Sequence, residues 1–81
     1  MPAMPMATIR ARFGVKAKRG GYVTPKPGQY MAGQTGKILR SDENGNLAVR
    51  NLGLREAWRG TYHPNDLTYI DRKTVRDRGF T

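Results

Sequence analysis

The 81 residues carry fifteen Lys and Arg against six Asp and Glu, a formal net charge of +9, with a sequence pI near 10.7 and a mean hydropathy of −0.72. That length makes one small domain, and the absence of cysteine excludes disulfides and thiolate metal sites. No apolar run approaches the ~18 residues of a membrane span, and the N-terminus lacks the apolar centre of a secretory signal, so a soluble, cytoplasmic protein with no membrane partner is expected.

The charge is laid unevenly along the chain. Asp42 is the first acidic residue, so residues 1–41 hold eight basic groups and nothing to offset them. Such an imbalance favours polyanions, with nucleic acid first and an acidic protein surface second. Solubility alone asks for a net charge of about 2 to 8 in a domain of this size, which +9 slightly exceeds.

Residues 1–7 are Met, Pro, Ala and Met again without periodicity, and read as a flexible N-terminal tail. In residues 8–18, Ile9, Ala11, Phe13, Val15 and Ala17 alternate with Arg10, Arg12, Gly14, Lys16 and Lys18. Period two predicts a half-buried strand whose outer face is cationic. Arg19, Gly20 and Gly21 then release the chain, and residues 22–32 are expected as a long connection. Pro25 and Pro27 lie there and argue against a central strand.

Residues 33–50 read as a β-hairpin. Ile38 and Leu39 lie in one arm and Leu47, Ala48 and Val49 in the other. Between them Ser41, Asp42, Glu43, Asn44, Gly45 and Asn46 are turn formers, and Asn44-Gly45 tolerates the positive φ of tight hairpins. A further turn is expected at 51–54. Residues 55–63 are open between helix, which Leu54 to Arg59 favour, and strand, which Gly60, Thr61 and Tyr62 favour; taken as a strand, they place Glu56, Trp58 and Tyr62 on one face. Pro64, Asn65, Asp66 and Leu67 suggest a single 3₁₀ turn with proline at its first position. Thr68, Tyr69 and Ile70 close the sheet. From residue 73 on, a basic C-terminal tail is expected, either frayed or forming a short helix.

With these elements placed, residues 22–50 resemble the KOW motif of ribosomal proteins and transcription elongation factors. Gly28, Gly33 and Gly36 match its glycines, Ile38 its aliphatic position, and Leu47, Ala48 and Val49 its return strand. The run His63 to Leu67 is similar to the turn that closes many SH3-like barrels. Two departures stand out: the spacing from Gly28 to Gly33 is one residue longer than usual, and Pro25 and Pro27 interrupt what is normally a strand. Five short strands with turn signals between them point to an SH3-like or OB-like barrel, the length suiting the former. The resemblance implies an all-β fold, a small five-stranded SH3-like barrel over residues 8–72.

Catalytic chemistry has little to draw on. His63 is the single histidine, so no His or Cys pair can hold a metal. Asp42 and Glu43 are adjacent in a turn, and the glycine runs lack phosphate-loop spacing. No enzyme activity, cofactor or metal is expected. The reading that emerges is a nucleic-acid-binding protein, for RNA or DNA, that contacts the phosphate backbone. Its expected contacts are Arg10, Arg12, Lys16, Lys18 and Arg19 on a strand face about 30 Å long, joined by Lys26, Lys37 and Arg40. Tyr22 and Tyr30 would stack on bases. The alternative is a protein-interaction module or accessory subunit, for example phage-encoded, docking on an acidic partner enzyme. A third reading, an oligomeric barrel with a shared pore, requires self-association.

Overall fold

The computed structural model describes residues 2–52 and 58–79. It is built on one five-stranded antiparallel sheet with two short helices. The strands are β1 (Tyr22–Pro25), β2 (Gly36–Ser41), β3 (Leu47–Asn51), β4 (Arg59–Tyr62) and β5 (Leu67–Ile70). Their spatial order is β4-β3-β2-β1-β5. The first four form a meander, and β5 returns to pair with β1. β4 and β5 are the outer strands of an open sheet, so the expected closed barrel gives way to the coarser description of a β-rich fold.

The hairpin of β2 and β3 forms as its turn chemistry requires. Asp42 N–H donates to the Asn46 carbonyl at 2.9 Å and Gly45 N–H to the Asp42 carbonyl at 3.2 Å. The Asp42 carboxylate also accepts from the Asn44 and Asn46 amides. Gly45 has φ +88°, the left-handed step that lets the turn rejoin the ladder. Between Ile38 and Arg40 the β2–β3 register shifts at a bulge. The bulge puts Ile38 opposite Val49 while Arg40 stands opposite Ala48.

The segment expected as the first strand is instead helical. Helix α1 spans Met6–Phe13, and Gly14 ends it in the left-handed conformation, its N–H donating to the Arg10 carbonyl. The apolar residues that matter are Met6, Ile9 and Phe13, spaced three and four apart and therefore on one helical face. Ile9 is fully buried, whereas Ala11, which the alternating pattern turned inward, is exposed. Ala7, Ala11, Arg10 and Arg12 are good helix formers, and the two arginines fall in the last turn, where they complement the helix dipole. The expected tail boundary at residue 8 thus lies inside α1. Met4 is also tied down: its N–H donates to the Asp42 carbonyl, and its carbonyl accepts from Ser41 Oγ.

The long connection expected over residues 22–32 begins with an interior strand. β1 lies between β2 and β5 despite Pro25. Its pairing with β2 stops at Val23, opposite Gly36. Lys26 N–H donates to the Asp66 carbonyl on the β5 side. Alternation then turns the Pro25 nitrogen toward the β2 side, beyond the last pair with β2, so no ladder bond is lost. Turns fill residues 27–33, with Met31 at φ +59°.

One face of the sheet carries the core. Val23, Ile38, Leu47, Val49, Trp58, Tyr62 and Leu67 pack there with Ile9 of α1 and Ala17. Asn51 holds the β3–β4 connection shut: its N–H donates to the Trp58 carbonyl and its Oδ1 accepts from the Trp58 amide. The expected turn at 51–54 and the start of the strand expected at 55–63, Glu56 included, fall largely on residues 53–57, outside the described residues. The 3₁₀ turn forms at Pro64–Asp66, with His63 Nδ1 accepting from Asn65 N–H.

The C-terminal segment takes the helical alternative. Helix α2 covers Arg72–Asp77, capped by Asp71, whose carboxylate accepts from the Thr74 amide at 2.7 Å. Val75 is fully buried. Just beyond α2, Arg78 donates from Nη1 to Thr24 Oγ1 and Thr35 Oγ1. Thr24 faces away from the core, so this end of α2 is fixed to the outer side of the sheet at β1. Among the described residues no helix is long and apolar enough to cross a membrane.

Candidate nucleic-acid interface

Cross-strand register decides which side chains share the outer face. Ile38, Val49, Leu47 and Tyr62 point into the core, so their neighbours along each strand point outward. Lys37 pairs with Arg50, Arg50 with Arg59, and Lys37 with Tyr22 on its other side. Three cations therefore stand side by side across β2, β3 and β4, spanning about 10 Å at the usual strand spacing. Arg40, opposite Ala48, adds a fourth one row further along the same face. Among the described residues no Asp or Glu occurs in any of the five strands. A dimple of about 170 Å³ opens between Arg40 and Arg59 over Ala48 and Thr61.

Like charges directly opposite one another destabilise a sheet by roughly 0.2–1 kcal/mol per pair. Lys37–Arg50 and Arg50–Arg59 are two such pairs. A bound polyanion would relieve both.

Tyr22 carries this row into a groove. The groove has a volume of about 600 Å³ and lies where β1 begins and β5 ends. Its walls include Arg10 of α1, Lys16 and Lys18 of the following segment, and Asp71 and Thr74 at the start of α2. Arg10 Nη1 also donates to the Ala17 carbonyl at 2.7 Å, which ties α1 to the extended wall. The Asp71 carboxyl is held below its ordinary range, chiefly by hydrogen bonding from the Thr74 side chain and then from the Thr74 amide. Tyr69 lines the groove too. Its hydroxyl donates to the Pro64 carbonyl at 2.8 Å, and burial pushes its phenol up to about 12.

The expected contact residues are thus divided. Arg10, Lys16, Lys18 and Tyr22 meet in the groove, while Lys37 and Arg40 stand on the outer face of the sheet. Arg12, Arg19, Lys26 and Tyr30 line neither the groove nor the dimple beside Arg40. The single 30 Å strand stripe does not form, because Arg10 and Arg12 sit on a helix and Lys16, Lys18 and Arg19 follow its end. Lys26 leaves β1 at the end opposite Tyr22. Tyr30 is 61% exposed, edge-on to Trp58 at 6.3 Å, and its carbonyl accepts from the Tyr62 hydroxyl at 2.7 Å.

Arg50 and Arg59 were not among the expected contacts. Only the bulge in β2 brings Arg50 onto the face of Lys37. Among the described residues no group of three or more His, Cys, Asp or Glu is placed to hold a metal. No protein-family model, curated protein or solved structure matches the chain.

Proposed function

We propose that this chain is a non-catalytic nucleic-acid-binding protein that grips the phosphate backbone with the outer face of its sheet. The observation that carries the reading is the placement of the strand cations. All four of them, Lys37, Arg40, Arg50 and Arg59, share one face and three adjacent strands that hold no carboxylate. A face designed only for solubility would interleave the two signs, whereas a phosphate backbone needs closely spaced cations and no acids. The fold is read as SH3-like and akin to KOW domains. A four-stranded meander, a 3₁₀ turn and a last strand returning to the first support that reading.

The test is fluorescence anisotropy with labelled RNA and DNA oligonucleotides over a range of salt. Engagement of four to six phosphates gives a slope of log K against log[salt] of about −3 to −5. Failure to bind any RNA or DNA at about 50 mM salt, where even non-specific contacts are strong, would remove the proposal.

A further inference from the structure

Resting on that reading, we infer that the groove beside Tyr22 takes an unpaired base, so that the preferred ligand is a single strand rather than a duplex. Two observations and one general principle converge on it. First, the groove is continuous with the cation row, since Tyr22 pairs with Lys37 on one side and with Ile70 on the other, and both Tyr22 and Ile70 line the groove. A strand whose phosphates follow Arg59, Arg50 and Lys37 arrives at Tyr22 with its next nucleotide over the opening.

Second, the groove is too mixed in character to be a phosphate site. It offers a tyrosine, an aliphatic wall from Val15 and Ile70, and a carboxylate at Asp71, along with its cations. Its volume of about 600 Å³ falls in the range of small-molecule sites, about 300–1,000 Å³. A carboxylate repels phosphate but accepts a hydrogen bond from a base amino group. Asp71 accepts from both the amide and the side chain of Thr74, and a carboxylate, with about four acceptor sites, retains capacity for a ligand beyond these two. Third, a base inside a duplex is stacked and cannot enter such a space without being flipped out, at a cost of a few kcal/mol. An unpaired base enters freely, and its stacking on an aromatic ring is worth about 1–3 kcal/mol.

The experiment compares three ligands on the unmodified protein: a deoxycytidine oligonucleotide, the same strand with abasic sites, and a duplex of equal length. All three present phosphates; the intact and abasic strands share one backbone, and the duplex offers the denser charge, so a preference for the single strand runs against the backbone term. The single strand should bind more tightly than the duplex, and abasic substitution should weaken it roughly 5- to 150-fold. Abasic and intact strands binding alike, with the salt slope preserved, would overturn the groove assignment and leave the backbone reading standing. A duplex bound as tightly as the intact strand would overturn it as well. Binding of none of the three would instead defeat the backbone reading itself.

Asp71→Ser supplies a second readout, because serine also caps a helix. If Asp71 accepts from a base amino group, the substitution weakens cytidine binding and leaves the abasic strand unaffected or more tightly bound. A uniform gain for both strands would mean the carboxylate only repels phosphate, and would refute the role assigned to it.

Discussion

The register that aligns the cations can be tested through a glycine that lies in the next row. Gly36 pairs with Asn51, immediately beside the Lys37–Arg50 pair. A methyl group built there would stand 2.5 Å from Val49 Cγ1, 3.0 Å from the Arg50 carbonyl oxygen and 3.3 Å from Trp58 Cη2. Carbon atoms pack best at about 3.5–4.0 Å, so the overlap with Val49 is at least about 1 Å. Val49 is fully buried and the Arg50 oxygen is backbone, so neither yields without moving the sheet. Overpacking of this kind costs about 1–3 kcal/mol, and replacing glycine returns about 0.4–1 kcal/mol through the unfolded chain. An overlap this large belongs in the upper half of the overpacking range, about 2–3 kcal/mol, so Gly36→Ala should destabilise the fold by about 1–2.6 kcal/mol net, lowering Tm by roughly 4–20 °C in a domain of this size. Thermal unfolding followed by circular dichroism measures it. An unchanged or higher Tm would mean that Gly36 does not lie against Val49 and Trp58, and the register drawn from it would fall.

Three further outcomes follow from individual side chains. Arg50→Gln removes two like-charge pairs and should raise stability by about 0.2–1 kcal/mol per pair relieved while weakening nucleic-acid binding; a loss of stability in denaturant titration would show that Arg50 is held by favourable contacts instead. Because the Asp71 carboxyl is held low in the fold, its contribution to α2 is complete above the free value of about 3.9 and is lost as pH falls through the lower folded value; the Thr74 amide resonance should move with that low midpoint, and a midpoint at or above the free value would contradict the cap. Tyr69, pushed up to about 12 by burial, contributes stability that is complete below about pH 10 and is lost as pH rises through 12. Its phenolate absorbance should therefore appear late in an alkaline titration, together with that of Tyr62, which burial also raises, and Tyr69→Phe should reduce that late absorbance and cost about 1 kcal/mol through the lost hydrogen bond to Pro64.

Local chemistry made much of the sheet legible. Asp42, Gly45 and Asn46 announce a turn because they hydrogen-bond or bend the backbone within a few residues, and the turn forms where they stand. Pro64 and Asp66 mark the 3₁₀ turn for the same reason. The first helix is not legible in the sequence because two periods coexist in residues 6–17. Alternation from Ile9 to Ala17 is the longer pattern, but Met6, Ile9 and Phe13 form a helical stripe that alternation conceals. Packing against the sheet decides between them, and packing is not local. Pro25 misled in a similar way, since a proline is excluded from an interior strand only where its nitrogen meets a partner.

The cation row was hidden by a single residue. Counting back from the turn with Ser41 opposite Leu47 and no bulge would place Arg50 against Ile38, with Lys37 against Asn51. The extra residue at Leu39 shifts the pairing so that Lys37 meets Arg50. Nothing in the local sequence marks that bulge. It arises because Ile38 and Val49 must both face the core while Arg40 must not.

The claim that the sheet face holds phosphate is tested most directly by comparing salt dependence in two charge-matched variants. Arg50→Gln with Arg59→Gln removes two cations from the row, and Arg12→Gln with Lys26→Gln removes two that line neither the groove nor the dimple. Each phosphate contact contributes about 0.7 to the slope for a single strand and about 0.9 for a duplex. The first pair should therefore flatten the plot of log K against log[salt] by about 1.4–1.8, and the second should leave the slope near that of the unaltered protein. Equal slopes for the two pairs would contradict the account, because the strands would then contribute no more than any other part of a positively charged surface.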